Sequence, residues 1–202
     1  MSAITWGITV VVAGLAVHLW AEATGRPVAR AVSKLSASAG FVGVGLAASA
    51  GGSYARLVLA GLLLSAAGDA LLLSDRKAAF LTGIGAFLVA HVAYALAFAP
   101  RSRVSPAVAA ALGFVALGVV RWLWPHLGTF RAPVVAYAIA ITAMLLLASG
   151  VASPLVRWGA ALFYLSDLTV ARDRFVRRQF ANRLVGLPLY YAGQVLIALS
   201  AG

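Results

Sequence analysis

The stretch AAFLTGIGAFLVAHVAYALAF, residues 78–98, runs for 21 residues without a charged side chain. At about 1.5 Å per residue, a helix of that length covers roughly 30 Å, the thickness of a bilayer's hydrocarbon core. Seven further stretches of similar length and character occupy residues 4–21, 31–50, 54–73, 104–123, 132–149, 154–171 and 184–200. Together with 78–98 they account for most of the 202 residues, and the connections between them are short. The chain is 63% hydrophobic and 10% charged, with a mean hydropathy of +0.98. An ordinary soluble domain is roughly 45–50% apolar.

Backbone amides in lipid have no water to bond, so each span must satisfy them internally as a helix. The spans are also too long and too evenly apolar for barrel strands. The expected fold is therefore all-α: a polytopic integral membrane protein of eight transmembrane helices forming a single domain over residues 1–202. Small residues such as those of GFVGVGLAASAGG (40–52) suit close helix contact. Cysteine is absent, which excludes disulfides and leaves the redox compartment unspecified. The N-terminus lacks the basic stretch of a cleavable signal, so residues 4–21 read as a retained first span.

Charge sets the expected orientation. Twelve of the sixteen Lys and Arg residues fall at the ends joined by the first, third, fifth and seventh connections, and only Arg56, Arg101, Arg103 and Arg157 fall at the other. Basic residues stay on the cytoplasmic side, which predicts both termini outside in a bacterial inner (plasma) membrane. The net charge of +11 follows from this topology. With no soluble module to present the charges, it does not indicate nucleic acid as a partner. Trp6, Trp20, Trp122, Trp124 and Trp158 lie near span ends, at head-group depth.

The five acidic residues are distributed unevenly. Four of them form two copies of Asp-x5-Asp-Arg, in GDALLLSDR (68–76) and SDLTVARDR (166–174). In a continuous helix Asp69 and Asp167 lie roughly 9 Å deeper than Asp75 and Asp173, so the outer pair is expected to be wet and the inner pair dry. An ionised carboxylate in the hydrocarbon region costs on the order of 2.5–3.5 kcal/mol even on lenient insertion scales, so such groups face the protein interior and mark sites. Two at one depth predict one shared pocket.

Polar groups on other spans lean toward the same level: His91 and Tyr94 on the fourth, and Tyr190, Tyr191 and Gln194 on the eighth. Spans three and four resemble spans seven and eight at an offset of 98 to 100 residues, as a tandem repeat of a four-helix unit would.

GDALLLSDRKAAFLTGIGAFLVAHVAYALAF (68–98), GAALFYLSDLTVARDRF (159–175) and YYAGQVLIALS (190–200) together resemble the YhhN family of eight-span membrane proteins, whose animal members are lysoplasmalogenases. The resemblance implies that Asp69 and Asp167 carry the chemistry. It also implies that Lys34, His91, Tyr94, Tyr190, Tyr191 and Gln194 contribute to substrate binding, with a lysophospholipid and the surrounding lipids as partners. In that family the lysine opening span two is often followed by proline, whereas Lys34 is followed by Leu35.

The implied reaction, cleavage of a vinyl ether to a fatty aldehyde and a glycerophospho-alcohol, needs a proton at an alkene carbon and water at the resulting cation. A pair of carboxyls meets that demand, one kept protonated by a dry site and one ionised, as glycosidases divide the labour. Neither metal nor cofactor is called for. The phosphate head group is expected among Lys34, Arg76, Lys77, Arg172 and Arg174.

Other assignments compete. Asp69 and Asp167 also suit a structural role, bonded to serines or to Lys34. Glu22 and Asn182 suit helix capping. Buried acids on a repeated scaffold also suit a proton-coupled small-molecule or lipid transporter, although neither half shows a broken helix. A zinc amidase is disfavoured because His18, His91 and His126 are dispersed. A catalytically silent lipid-binding protein is the remaining class.

Overall fold

A computed structural model describes residues 2–74 and 76–202; Asp75, expected at the wet end of the first acidic repeat, lies outside the described residues. The described chain forms eight α-helices: α1 (Ala3–Ala23), α2 (Pro27–Ala48), α3 (Gly52–Leu71), α4 (Lys77–Phe98), α5 (Pro106–Leu123), α6 (Arg131–Ser149), α7 (Pro154–Ala171) and α8 (Phe180–Leu199). The first six are long and apolar enough to cross a membrane. The molecule is an integral, multi-pass membrane protein. α7 and α8, with 18 and 20 residues, carry Arg157, Asp167, Asn182, Arg183 and Gln194 and are correspondingly more polar.

Local chemistry sets the ends of these rods. Proline occupies the first turn of α2, α5 and α7, where its missing N–H leaves no helical bond unmade. Ser2 Oγ accepts the Thr5 amide at 3.1 Å and caps α1. Gly25 and Gly51, with φ of +67° and +82°, make the tight reversals between α1 and α2 and between α2 and α3, in a region that penalises a Cβ. Pro188 lies inside α8, yet the helix runs through it without a break.

Close backbone approach builds the hairpins. A Cβ added at Gly40 would meet the Gly7 carbonyl at 3.0 Å, which locks α1 onto α2. One added at Gly193 would meet the Gly159 carbonyl at 2.8 Å, which locks α7 onto α8. α3 and α4 form a third hairpin. Between hairpins, α2 packs on α8 and α6 on α4. In a four-plus-four numbering these two contacts are the same contact, second helix of one half against fourth helix of the other. α5 stands at the periphery; Leu123 is its single fully buried side chain.

The core is aromatic beside the site. Phe163 and Tyr190 rings meet at 5.3 Å, Phe87 and Tyr190 at 6.0 Å, and Phe41 and Tyr190 at 6.1 Å, all steeply inclined. Such edge-to-face pairs add about 0.5–1.5 kcal/mol each beyond burial. They form a stiff floor beneath a cavity at the basic end of the bundle.

Candidate active site

The cavity measures about 580 Å³, and both Asp69 and Asp167 line it. Asp69 is placed two residues before the end of α3 and Asp167 four before the end of α7. α3 stops at Leu71, so the continuous-helix spacing expected for Asp69 and Asp75 does not extend through that repeat. It does hold in the second repeat, where α7 continues into a π-helical turn, Arg172–Val176, that carries Asp173.

Asp69 is almost sealed, 2% exposed, and held by three donors. Lys34 Nζ lies 3.0 Å from Oδ1. Ser38 Oγ and Tyr190 OH each donate to Oδ2 at 2.7 Å. Lys34 and Ser38 lie one turn apart on α2, so a single helix face presents both. The contacts with a serine and with Lys34 are those a structural role for Asp69 anticipates.

Asp167 is more open than the expected dry site, with 17% of its side chain accessible. Tyr137 OH donates to Oδ2 at 2.5 Å. His91 Nε2 stands 3.8 Å from the same oxygen, beyond hydrogen-bond reach. His91 is fully buried between the rings of Tyr137 and Phe163, at 5.1 and 4.6 Å, and neither of its ring nitrogens has a hydrogen-bond partner among the described residues.

The partners of the two carboxyls correspond across the halves. Asp69 takes its donors from α2 and α8; Asp167 takes its one donor from α6, and His91 of α4 stands beside it. Ser38 and Tyr137, His91 and Tyr190, and the aspartates themselves are 98 to 100 positions apart. Tyr94 and Gln194, a further such pair, bond directly, with Tyr94 OH donating to Gln194 Oε1 at 2.8 Å.

Of the substrate-binding residues expected from sequence, Lys34 and Tyr190 line the cavity. Tyr94, His91 and Gln194 are fully buried behind it, and Tyr191 donates a long bond, 3.4 Å, to the Lys34 carbonyl. Ser38 and Tyr137 were not anticipated. Ser38 is one of three serines close together on α2 and Tyr137 a single phenol on a mostly apolar α6, and the repeat offset that relates them is the one signal that points to both.

The mouth is an ionic network. Glu22, on α1, receives Arg30 Nη1 at 3.5 Å and also binds Arg183 Nη1. Arg183 Nε reaches Asp173 Oδ2 at 3.3 Å. Asn182 Nδ2 donates to Asp173 Oδ1 at 3.1 Å and to the Arg177 carbonyl at 2.8 Å, while Arg172 Nη1 donates to Asn182 Oδ1 at 2.6 Å. Glu22 and Asn182 are thus cross-links between helices rather than simple caps. Of the cations expected to meet a head group, Lys34 and Arg174 line the cavity, and Arg76, Lys77 and Arg172 do not; Arg30, Arg177 and Arg178 do. The opposite wall is apolar, formed by residues such as Phe80, Ile84, Ala116, Val119 and Ile141. Among the described residues, no three or more His, Asp or Glu side chains converge as metal ligands would.

Residues 29–201 match the YhhN family. Lysoplasmalogenase TMEM86B of Sus scrofa is 38% identical over 159 residues, covering 76% of this chain and 67% of that protein. The Homo sapiens protein of the same name is 38% identical over 172 residues, covering 81% and 70%. Lysoplasmalogenase of Mycobacterium tuberculosis is 31% identical over 209 residues, covering 96% and 78%. No solved structure matches. The family match begins at residue 29, within α2, so α1, which supplies Glu22 to the mouth, lies outside that match. The family match spans both aspartates and every helix from which their partners come, and the chain belongs to the YhhN family.

Proposed function

We propose that the protein is a membrane-embedded hydrolase that cleaves the vinyl ether bond of a lysoplasmalogen or a related lysolipid, releasing a fatty aldehyde and a glycerophospho-alcohol. The observation that carries this is the placement of two intramembrane carboxyls on separate helices against one cavity, which is basic at its mouth and apolar along one wall. Relatives covering most of the chain bear the name lysoplasmalogenase.

In this reading the phosphate lies among Arg30, Arg174, Arg177 and Arg178, whose planar donors suit its oxygens. The hydrocarbon tail lies along Ala116, Val119 and Ile141 of α5 and α6. That leaves the ether at the level of Asp69 and Asp167. One carboxyl protonates the outer alkene carbon, and an oxocarbenium-like cation forms beside the oxygen. Water adds to it, and the resulting hemiacetal collapses. The carboxylate left by that proton transfer stabilises the positive charge, as a carboxylate does beside the cation at a glycosidic carbon. Lys34 and Tyr190 fix Asp69, and His91, Tyr94, Tyr191 and Gln194 shape the floor from behind.

The test is aldehyde release by purified protein in detergent from a vinyl-ether lysolipid, beside its saturated alkyl-ether counterpart. Turnover of the first and not of the second is expected, because only the alkene accepts a proton on carbon. Release from neither would remove the hydrolase assignment.

A further inference from the structure

We propose that the two aspartates are not interchangeable halves of a dyad: Asp167 is the single carboxyl that exchanges a proton during turnover, and Asp69 is a permanently ionised positioning residue that holds Lys34. This deepens the proposed hydrolase and rests on it.

The contacts of the oxygens come first. Both oxygens of Asp69 are engaged, Oδ1 by an ammonium and Oδ2 by two hydroxyls, and the group is nearly sealed. A carboxylate receiving three donors has little capacity left to take a proton from water, and protonating it would break the Lys34 pair. Asp167 has one donor, on Oδ2. Its Oδ1 has no hydrogen-bond partner among the described residues, and the side chain borders the cavity.

Charge pairing is the second observation. Four carboxyls of the described residues line this cavity. Glu22 has Arg30 and Arg183, Asp69 has Lys34, and Asp173 has Arg183, each within 4 Å. Asp167 has neither Lys nor Arg at that distance. Its nearest base is His91, fully buried without a hydrogen bond at either ring nitrogen, a site unsuited to an imidazolium. Charges in this medium persist where they are paired. By that criterion Asp167 is the one that rests as the neutral acid.

The steps then balance on one residue. The Asp167 O–H bond breaks as its proton forms a C–H bond at the outer alkene carbon, and the π electrons leave an oxocarbenium at the ether carbon. Water adds there, forming a C–O bond, and gives one proton back to the Asp167 carboxylate. The neutral hemiacetal breaks its bond to the glycerol oxygen, which takes the hydroxyl proton, and the aldehyde departs. Asp167 is acid and then base at adjacent carbons, so the water must enter on its own side of the alkene. No proton needs to travel between the aspartates.

Infrared spectroscopy in H₂O and D₂O tests this directly, because a chain with five acidic side chains has few carboxyl bands. Wild-type protein should show one deuterium-sensitive stretch of a neutral carboxylic acid. It should vanish in Asp167→Asn and persist in Asp69→Asn and in the double variant Lys34→Met/Asp69→Asn, which removes both charges of the pair in case the single change unfolds the protein. Turnover should fall at least a thousandfold in Asp167→Asn. In the double variant it should fall about tenfold, with KM raised and the solvent isotope effect on kcat kept. Absence of the band from wild type, its loss in the Asp69 variants, or its survival in Asp167→Asn overturns the assignment. Failure of wild-type protein to cleave any vinyl ether would instead count against the hydrolase, since the spectrum reads the proton without substrate.

Discussion

Tyr137 brings a phenol to the open carboxyl of Asp167 at 2.5 Å, from a helix that carries few other polar side chains. Its hydroxyl fixes Oδ2 and thereby turns Oδ1 toward the cavity. Tyr137→Phe removes that constraint while keeping the ring packed against His91. With the carboxyl no longer held in one orientation, kcat for vinyl-ether cleavage should fall roughly tenfold, and loss of a bond worth about 1–2 kcal/mol should lower the melting temperature by only a few degrees. A wild-type rate in Tyr137→Phe would show that the bond does not orient the acid. Ser38 was hidden from sequence among Ser33 and Ser36, since a serine in a span is usually bonded to its own helix, as Ser33 is, and Tyr137 because a single phenol does not show which neighbour it faces. The aspartates were legible for the opposite reason, since no unpaired carboxylate is tolerated at that depth. Tyr94 and Gln194 were equally visible, but they bond each other behind the cavity, and depth alone does not say which way a side chain turns.

Helices were the most legible level, because lipid leaves a single way to satisfy the backbone. Expected bounds of 154–171 and 78–98 compare with Pro154–Ala171 and Lys77–Phe98. The largest misses are the starts of α2 and α8, expected at 31 and 184 and found at Pro27 and Phe180. Asn182 and Arg183 interrupt the apolar pattern, yet they lie inside the helix because Asp173 and Glu22 bind them. Hairpin contact gives a prediction of its own. A methyl at Gly193 would press on the Gly159 carbonyl and the Phe163 amide at 2.8 and 3.0 Å, backbone atoms of a neighbouring helix that cannot swing aside. Gly193→Ala should cost about 1–3 kcal/mol and lower the thermal midpoint in detergent. Gly118→Ala, in the middle of α5 with nothing within 4 Å, should leave the midpoint unchanged or raise it, since alanine favours a helix by about 1 kcal/mol over glycine. Equal effects at the two sites would mean that the α7–α8 contact is not as tight as the backbone geometry implies.

The whole molecule packs its eight helices so that each aspartate has neighbours from both the first four and the last four. α2 and α8 supply the donors of Asp69, whereas Asp167 takes its one donor from α6 and meets His91 of α4 only at 3.8 Å, so it is Asp69 whose hydrogen bonds need helices from both halves. The resemblance of spans three and four to spans seven and eight was readable, but the exchange of partners was not, since it depends on α2 meeting α8 and α6 meeting α4. All the cavity's cations sit at one end, the end where the sequence concentrates twelve of its sixteen basic residues. If that end is cytoplasmic, as positive charge directs, the substrate enters from the inner leaflet. A chain without cysteine makes this testable with single replacements that leave charge untouched. Thr24→Cys lies in the exposed turn after α1 at the basic end, and Ser53→Cys at the exposed start of α3 at the other. In intact bacterial cells, a membrane-impermeant maleimide should label Ser53→Cys, and Thr24→Cys only after permeabilisation. The reverse pattern would put the cavity mouth outside, where its arginines would draw lipid from the outer leaflet instead.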